Sequence, residues 1–176
     1  EDLTTRFTLM AYSSKGQPGT YVMGSGDLEG DGFYGRHLLY VPTGLDDPNV
    51  VFDSGFDTDA FFAWVDQKNL GSGYQKRNEH HAGWSTRMDI RIDQELPSFI
   101  DGTKGKVFFK MYNFGNFLND EWGHVNDAEF FSVQAIGSSL NDQGQYVFEE
   151  FDGGSINDLK ENRSLWEARV GIEFNF

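Results

Sequence analysis

Counting back in twos from the C-terminus, Phe176, Phe174, Ile172, Val170, Ala168 and Trp166 fall on one side of an extended chain. Asn175, Glu173, Gly171, Arg169, Glu167 and Leu165 fall on the other. Successive side chains of a strand point to opposite faces, so residues 164–176 predict a strand with one apolar and one charged face. Residues 84–96 repeat the pattern, with Trp84, Thr86, Met88, Ile90, Ile92 and Leu96 opposite Ser85, Arg87, Asp89, Arg91, Asp93 and Glu95. Residues 3–12 put Leu3, Phe7, Leu9 and Ala11 on one face, and residues 106–114 set Val107, Phe109 and Met111 against Lys106, Lys110 and Tyr112. The periodicity therefore predicts an all-β chain of about four long antiparallel strands. One short connection, 97–105, and two long polar stretches, 13–83 and 115–163, join them.

The long stretches carry structure of their own. Ala60, Phe61, Trp64, Val65 and Lys68 recur at helical spacing, with Asp57 or Thr58 as N-cap and Gly71 beyond the end. Short apolar pieces at 37–41, 50–52, 130–136 and 145–148 predict either strand extensions or packed clusters. Their aromatic content predicts packed loops and not disorder.

The alternation has two readings. A soluble antiparallel sheet with one solvated face produces it, and so does a strand that crosses a membrane. The terminal strand is 12–13 residues long, where a spanning strand needs about 9–11. It carries Trp166 at one end and Phe174 and Phe176 at the other, where interfacial aromatic girdles sit. In the membrane reading Trp166, Val170, Ile172, Phe174 and Phe176 face lipid. Arg87, Asp89, Arg91 and Asp93 then line the barrel lumen and pair across the wall with Glu167, Arg169 and Glu173.

Charge sharpens the division. The formal net charge is −14, and residues 13–83 carry −5, residues 115–163 carry −8, and everything else carries −1. Strands are nearly neutral and connections acidic. With no basic stripe to neutralise phosphates, nucleic acid is excluded as a simple partner. The 176 residues suffice for one domain, 1–176, and without cysteine there is neither a disulfide framework nor a thiolate metal site. No apolar run approaches the ~18 residues of a membrane helix, and barrels need none. The first residue is Glu, with no charged-then-apolar leader after it, so a removed leader or an internal segment of a longer protein is expected.

Candidate chemistry is sparse. Asp27, Glu29 and Asp31 place oxygen ligands at alternate positions before Gly32, the first half of a calcium loop, but Leu38 stands where the closing Glu belongs. Calcium is the one cofactor this suggests, and a solvated acidic turn is the plainer reading. Asp46, Asp47, Asp53, Asp57 and Asp59 form a second acidic group, suited to a cation or to solubility. Adjacent His80 and His81 point oppositely on a strand and chelate poorly, so a zinc site needs His37 or His124 brought close. No nucleophile triad, phosphate loop or paired-carboxylate motif stands out, so no enzyme is expected. Trp64, Trp122, Tyr74, Phe130 and Phe131 suit either a stacking surface for a ligand ring or the packing of the loops.

The segments RMDIRIDQELP, GKVFFKMYNFGNFLNDEWG and SLWEARVGIEFNF together resemble the C-terminal end of a TonB-dependent outer-membrane receptor, more narrowly the Oar-like group. In that group a strand ending in a QELP-like turn precedes one ending in an N-x-x-N-L-like segment, here Asn113 to Asn119. HLLYVPTGLDDPNVVF and the helix near Phe61 also look like the group's long loop. The resemblance implies the last four strands and two extracellular loops of a 22-stranded barrel in the outer membrane of a Gram-negative bacterium. Its implied partners are the remaining barrel and plug, outer-membrane lipid and lipopolysaccharide, and the TonB system through an N-terminal part not among these residues. Two other readings stay open: a complete eight-stranded barrel, which needs four more spanning strands, and a secreted β-sandwich binding carbohydrate or protein. The sandwich predicts that the apolar faces of 84–96 and 164–176 pack on each other.

Overall fold

The alternating segments form strands, as β-branched and aromatic side chains on a pleated surface favour. A computed structural model describes residues 2–24, 27–28, 30–97, 103–127 and 132–175. In chain order the first strands are β1 (Thr5–Lys15), β2 (Pro18–Gly24), β3 (His37–Leu38), β4 (Tyr40–Val41) and β5 (Val50–Phe52). Helix α1 (Thr58–Lys68) precedes β6 (Gly73–Tyr74), β7 (His80–His81), β8 (Trp84–Leu96) and β9 (Lys104–Tyr112). Then come α2 (Phe114–Leu118), β10 (Asn126–Asp127), β11 (Ser132–Leu140), β12 (Tyr146–Phe151), β13 (Asp158–Leu159), α3 (Glu161–Ser164) and β14 (Glu167–Asn175). The chain is all-β with short helices, and no described helix is long and apolar enough to cross a membrane.

It divides into two compact units where one domain with two loops was expected. The first comprises Glu1–Gly16, Gly83–Asn126 and Leu159–Phe176. Its centre is an antiparallel sheet in the order β1-β8-β9-β14, the four long strands read from the sequence. Residues 84–96 match β8 throughout, while β1 runs on to Lys15, β9 starts at Lys104, and β14 begins at Glu167, one residue past Trp166. Pairing of Lys15 with Trp84 and of Glu167 with Tyr112 puts both long excursions at the same end of the sheet. The expected short connection 97–105 lies mostly outside the described residues. Strands β1 and β14 are the two edges of this sheet, and they are not paired with each other.

The second unit, Gln17–Ala82 with Asp127–Asp158, is built from both long stretches together. Its main sheet runs β3-β2-β11-β12-β5, and β2–β11 and β12–β5 are parallel. The short apolar pieces are thus strands of a sheet of their own, and β2 and β11 come from different stretches, a pairing that leaves no local turn signal to read. Helix α1 begins where expected, with the Asp57 side chain accepting the Ala60 N–H at 2.9 Å. It ends at Asn69 in the left-handed conformation, two residues before Gly71. Phe61, Trp64 and Val65 enter a core with Tyr21, Met23, Leu39, Ile136 and Phe148. The Phe61 and Phe148 rings meet edge to face at 5.7 Å. Such packing follows from apolar side chains removed from water.

Candidate functional site

The first unit presents two chemically opposed sheet faces. Register puts Phe7 beside Ile92, Ile92 beside Phe109 and Phe109 beside Val170. The next rows are Leu9, Ile90, Met111 and Ala168, then Val107 and Ile172. Thr5 and Gln94 interrupt this apolar surface, and they satisfy each other by a hydrogen bond. The face is open on β1, at the start of β8 and on β14, where Phe7 is 74% exposed, Leu9 66%, Trp84 67%, Val170 74%, Ile172 60% and Phe174 55%, while Ile90, Ile92, Val107 and Phe109 are half-buried and Met111 is buried. At roughly 200 Å² per aromatic side chain, Phe7, Trp84 and Phe174 alone expose on the order of 400 Å².

The opposite face is polar and paired. Arg91 Nε donates to Asp93 Oδ2 at 2.9 Å, and Arg91 Nη2 lies 2.6 Å from Asp93 Oδ1 and 2.9 Å from Glu173 Oε1. Lys106 Nζ bonds Glu173 Oε2 at 2.7 Å. Arg91 also stacks 4.6 Å over the Phe108 ring, which covers Gly171 on the neighbouring strand. A Cβ on Gly171 would stand 2.5 Å from Phe108 Cζ. Arg6, Glu95 and Lys104 extend the network around a concavity of about 570 Å³.

All seven residues expected to line a lumen thus lie on one face, and the expected pairing between β8 and β14 holds for Arg91 with Glu173 but not for the others. Arg91 and Glu173 meet across the sheet; Arg169 and Glu167 bond each other along one strand. Asp89 is buried and accepts the Asn113 N–H at 2.9 Å, and Arg87 Nε is buried without a hydrogen-bond partner among the described residues. Of the proposed lipid-facing set, Val170, Ile172 and Phe174 are exposed on β14. Trp166 precedes the strand and meets Phe117 edge-on at 5.2 Å. Phe176 lies outside the described residues.

The Asn113–Asn119 motif is a clasp. Asn113 is fully buried with φ 51°, and its Nδ2 donates to Gly123 O at 3.1 Å and to Ser164 O at 2.6 Å. Asn116 Nδ2 similarly donates to Asp120 O and Trp122 O, each at 3.0 Å. These amides tie the turn after α2, and the end of α3, to the sheet end.

In the second unit, Asp27 accepts the N–H groups of Asp31 and Gly32, and Asp31 bonds Phe33 N–H and the Arg36 guanidinium. Glu29 lies outside the described residues, and no group of three or more His, Asp or Glu side chains gathers among those described.

Asp47 is buried. The N–H groups of Thr43 and Asn49 hold its carboxyl at about 2, below the ordinary 3.8. His80 packs against Tyr21, and burial lowers its pKa below 6.5. Trp64 belongs to the core, which removes it from any stacking surface, while Tyr74 and Trp122 are exposed and Phe130 and Phe131 lie outside the described residues. Sequence periodicity did not single out the ring cluster of Tyr40, Tyr74 and Tyr146, where the Tyr74 and Tyr146 hydroxyls stand 2.8 Å apart.

The second unit carries seventeen Asp and Glu against four Lys and Arg, so nearly all the net charge resides there. No protein-family model matches the chain, and neither a curated protein nor a solved structure matches it.

Proposed function

We propose that the four-stranded sheet is a membrane-spanning segment of an outer-membrane β-barrel, part of a TonB-dependent uptake receptor. The observation that carries this reading is the two-faced sheet: an open apolar surface backed by a charged surface whose ions pair laterally. Lipid covers the first and the barrel lumen receives the second. The thirteen residues of β8 extend about 44 Å at ~3.4 Å each, and about 34 Å after a ~40° tilt. That covers the ~25 Å apolar band with room for an aromatic girdle at Trp84. The free edges of β1 and β14 pair with further barrel strands, from the same or a separate polypeptide, because unpaired edges are not tolerated in lipid.

On this reading the second unit is extracellular, and its acidic surface contacts a ligand or cation. It catalyses no reaction, and coupling to TonB runs through the plug outside these strands. Two observations weigh against the other readings. The additional strands belong to a separate mixed sheet with its own core, so they do not extend a small barrel. The apolar faces of β8 and β14 lie side by side in one sheet with β9 between them, not packed face to face as a sandwich needs. Expression without detergent tests the proposal: aggregation, or recovery only in detergent or with partner strands, is expected. A soluble, cooperatively unfolding monomer overturns it.

A further inference from the structure

At the end of the four-stranded sheet where the long excursions leave, a concavity of about 410 Å³ opens beside β8. Trp84, Thr86 and Met88 line it from the strand, and Glu121, Trp122 and His124 from the turn after α2. Trp84 and Trp122 are both more than half exposed, so two indole surfaces border one space. The turn is held in place before any ligand arrives. Asn119 accepts the Glu121 N–H at 2.8 Å through its side chain and the Trp122 N–H at 3.0 Å through its carbonyl. Asn116 grips the carbonyls of Asp120 and Trp122, and His124 Nε2 donates to Asp120 O at 2.6 Å. A Cβ on Gly115 would meet Met88 Cε and Trp122 Cβ in ordinary contact, each at 3.8 Å, so strand and turn are neighbours there. A preorganised wall binds without the cost of ordering it.

The chemistry selects a cation. No Lys or Arg lines the space, and the Glu121 carboxylate makes no hydrogen bond or ion pair to the described residues. Trp is the strongest ring partner for an ammonium group, and paired aromatic faces with a carboxylate suit an alkylated ammonium. A hard metal ion is the wrong guest, because calcium takes six to eight oxygen ligands and indole faces supply none. We infer that the Trp84–Trp122 concavity binds an organic ammonium ion, of the kind carried by free choline-like solutes or by choline headgroups. The inference rests on the local geometry of the first unit and not on the membrane reading.

Tryptophan fluorescence of the full chain in a polyoxyethylene detergent tests it, titrated with choline, glycerophosphocholine, the neutral choline isostere 3,3-dimethylbutan-1-ol and methyl glucoside. Choline is expected to give a saturable change and the neutral isostere a change at least about ten-fold weaker, since charge supplies the attraction. Glu121→Gln should weaken choline about five-fold and Trp122→Ala should abolish the response, each with an unchanged far-UV circular dichroism spectrum. Glycerophosphocholine binding as tightly as choline assigns the site to headgroups, and its loss assigns the site to free solutes. Equal binding of the neutral isostere, preference for methyl glucoside, or no saturable response overturns the inference.

Discussion

The Arg91 guanidinium on β8 reaches over β9 to the Glu173 carboxylate on β14, 2.9 Å away and 82 residues distant in sequence. It crosses Phe108 on the way and bonds Asp93 on its own strand. One planar fork thereby ties three strands, a geometry that a lysine point charge does not reproduce. Arg91→Ala and Arg91→Lys should both lower the urea midpoint of the sheet, and both by more than Arg169→Ala. The Arg169 bond to Glu167 is exposed and stays within one strand. Equal midpoints for the three variants would show that the cross-sheet bond contributes nothing.

Phe108 over Gly171 is a steric relationship as well as a support for Arg91. Gly171→Val should cost about 1–3 kcal/mol by overpacking, because its Cβ would overlap the ring. Gly105→Val should cost less, since the nearest atom there is Phe174 Cε1 at 3.2 Å. Unfolding midpoints of the two variants check the order.

Asn113 spends both side-chain N–H groups on the carbonyls of Gly123 and Ser164. Asn113→Ala should lose about 3 kcal/mol, from buried carbonyls left unpaired and a left-handed backbone without its polar side chain. Asn113→Asp, nearly the same shape but without a donor, should lose at least as much. Chemical denaturation that finds Asn113→Asp neutral contradicts the clasp.

Acid should loosen the second unit. The Asp47 carboxyl is held at about 2 in the fold against an ordinary 3.8. A depressed carboxyl stabilises fully above its ordinary pKa and loses that contribution as pH falls towards the folded value, so the loss lies between about pH 4 and 2. His80 acts with the same sign and earlier, because a histidine whose pKa is lowered by burial destabilises the fold when pH drops below 6.5. Near-UV circular dichroism against pH should show both steps. Asp47→Asn should remove the lower one alone.

The strands of the first sheet were legible because their side-chain period is two and each is long enough to state it many times. Residues 84–96 gave β8 to the residue. Helix α1 was legible through Phe61, Trp64 and Val65, but Asn69 ended it before Gly71 because a left-handed Asn serves as a cap. The second unit was not legible as a unit. Its strands are short, and β2 finds β11 across more than a hundred residues, so no turn or local period announces the pairing. The lumen-type face was readable as a face, while its pairing was not. Which carboxylate Arg91 meets depends on the diagonal offset across β9, and alternation carries no register. Asn113 was visible as part of a motif, and only its burial reveals a structural clasp.

The central claim is that lipid covers the face of Phe7, Ile92, Phe109 and Ile172, and the most direct measurement is a spin-label scan. The chain has no cysteine, so single cysteines at Phe7, Thr8, Leu9, Ile172 and Glu173 report cleanly. Reconstituted into bilayers with its partner strands, the labels at Phe7, Leu9 and Ile172 should collide with oxygen dissolved in lipid. Those at Thr8 and Glu173 should collide with a water-soluble nickel chelate, alternating residue by residue. Equal chelate access on both faces, in a chain that stays soluble and monomeric, would contradict the account.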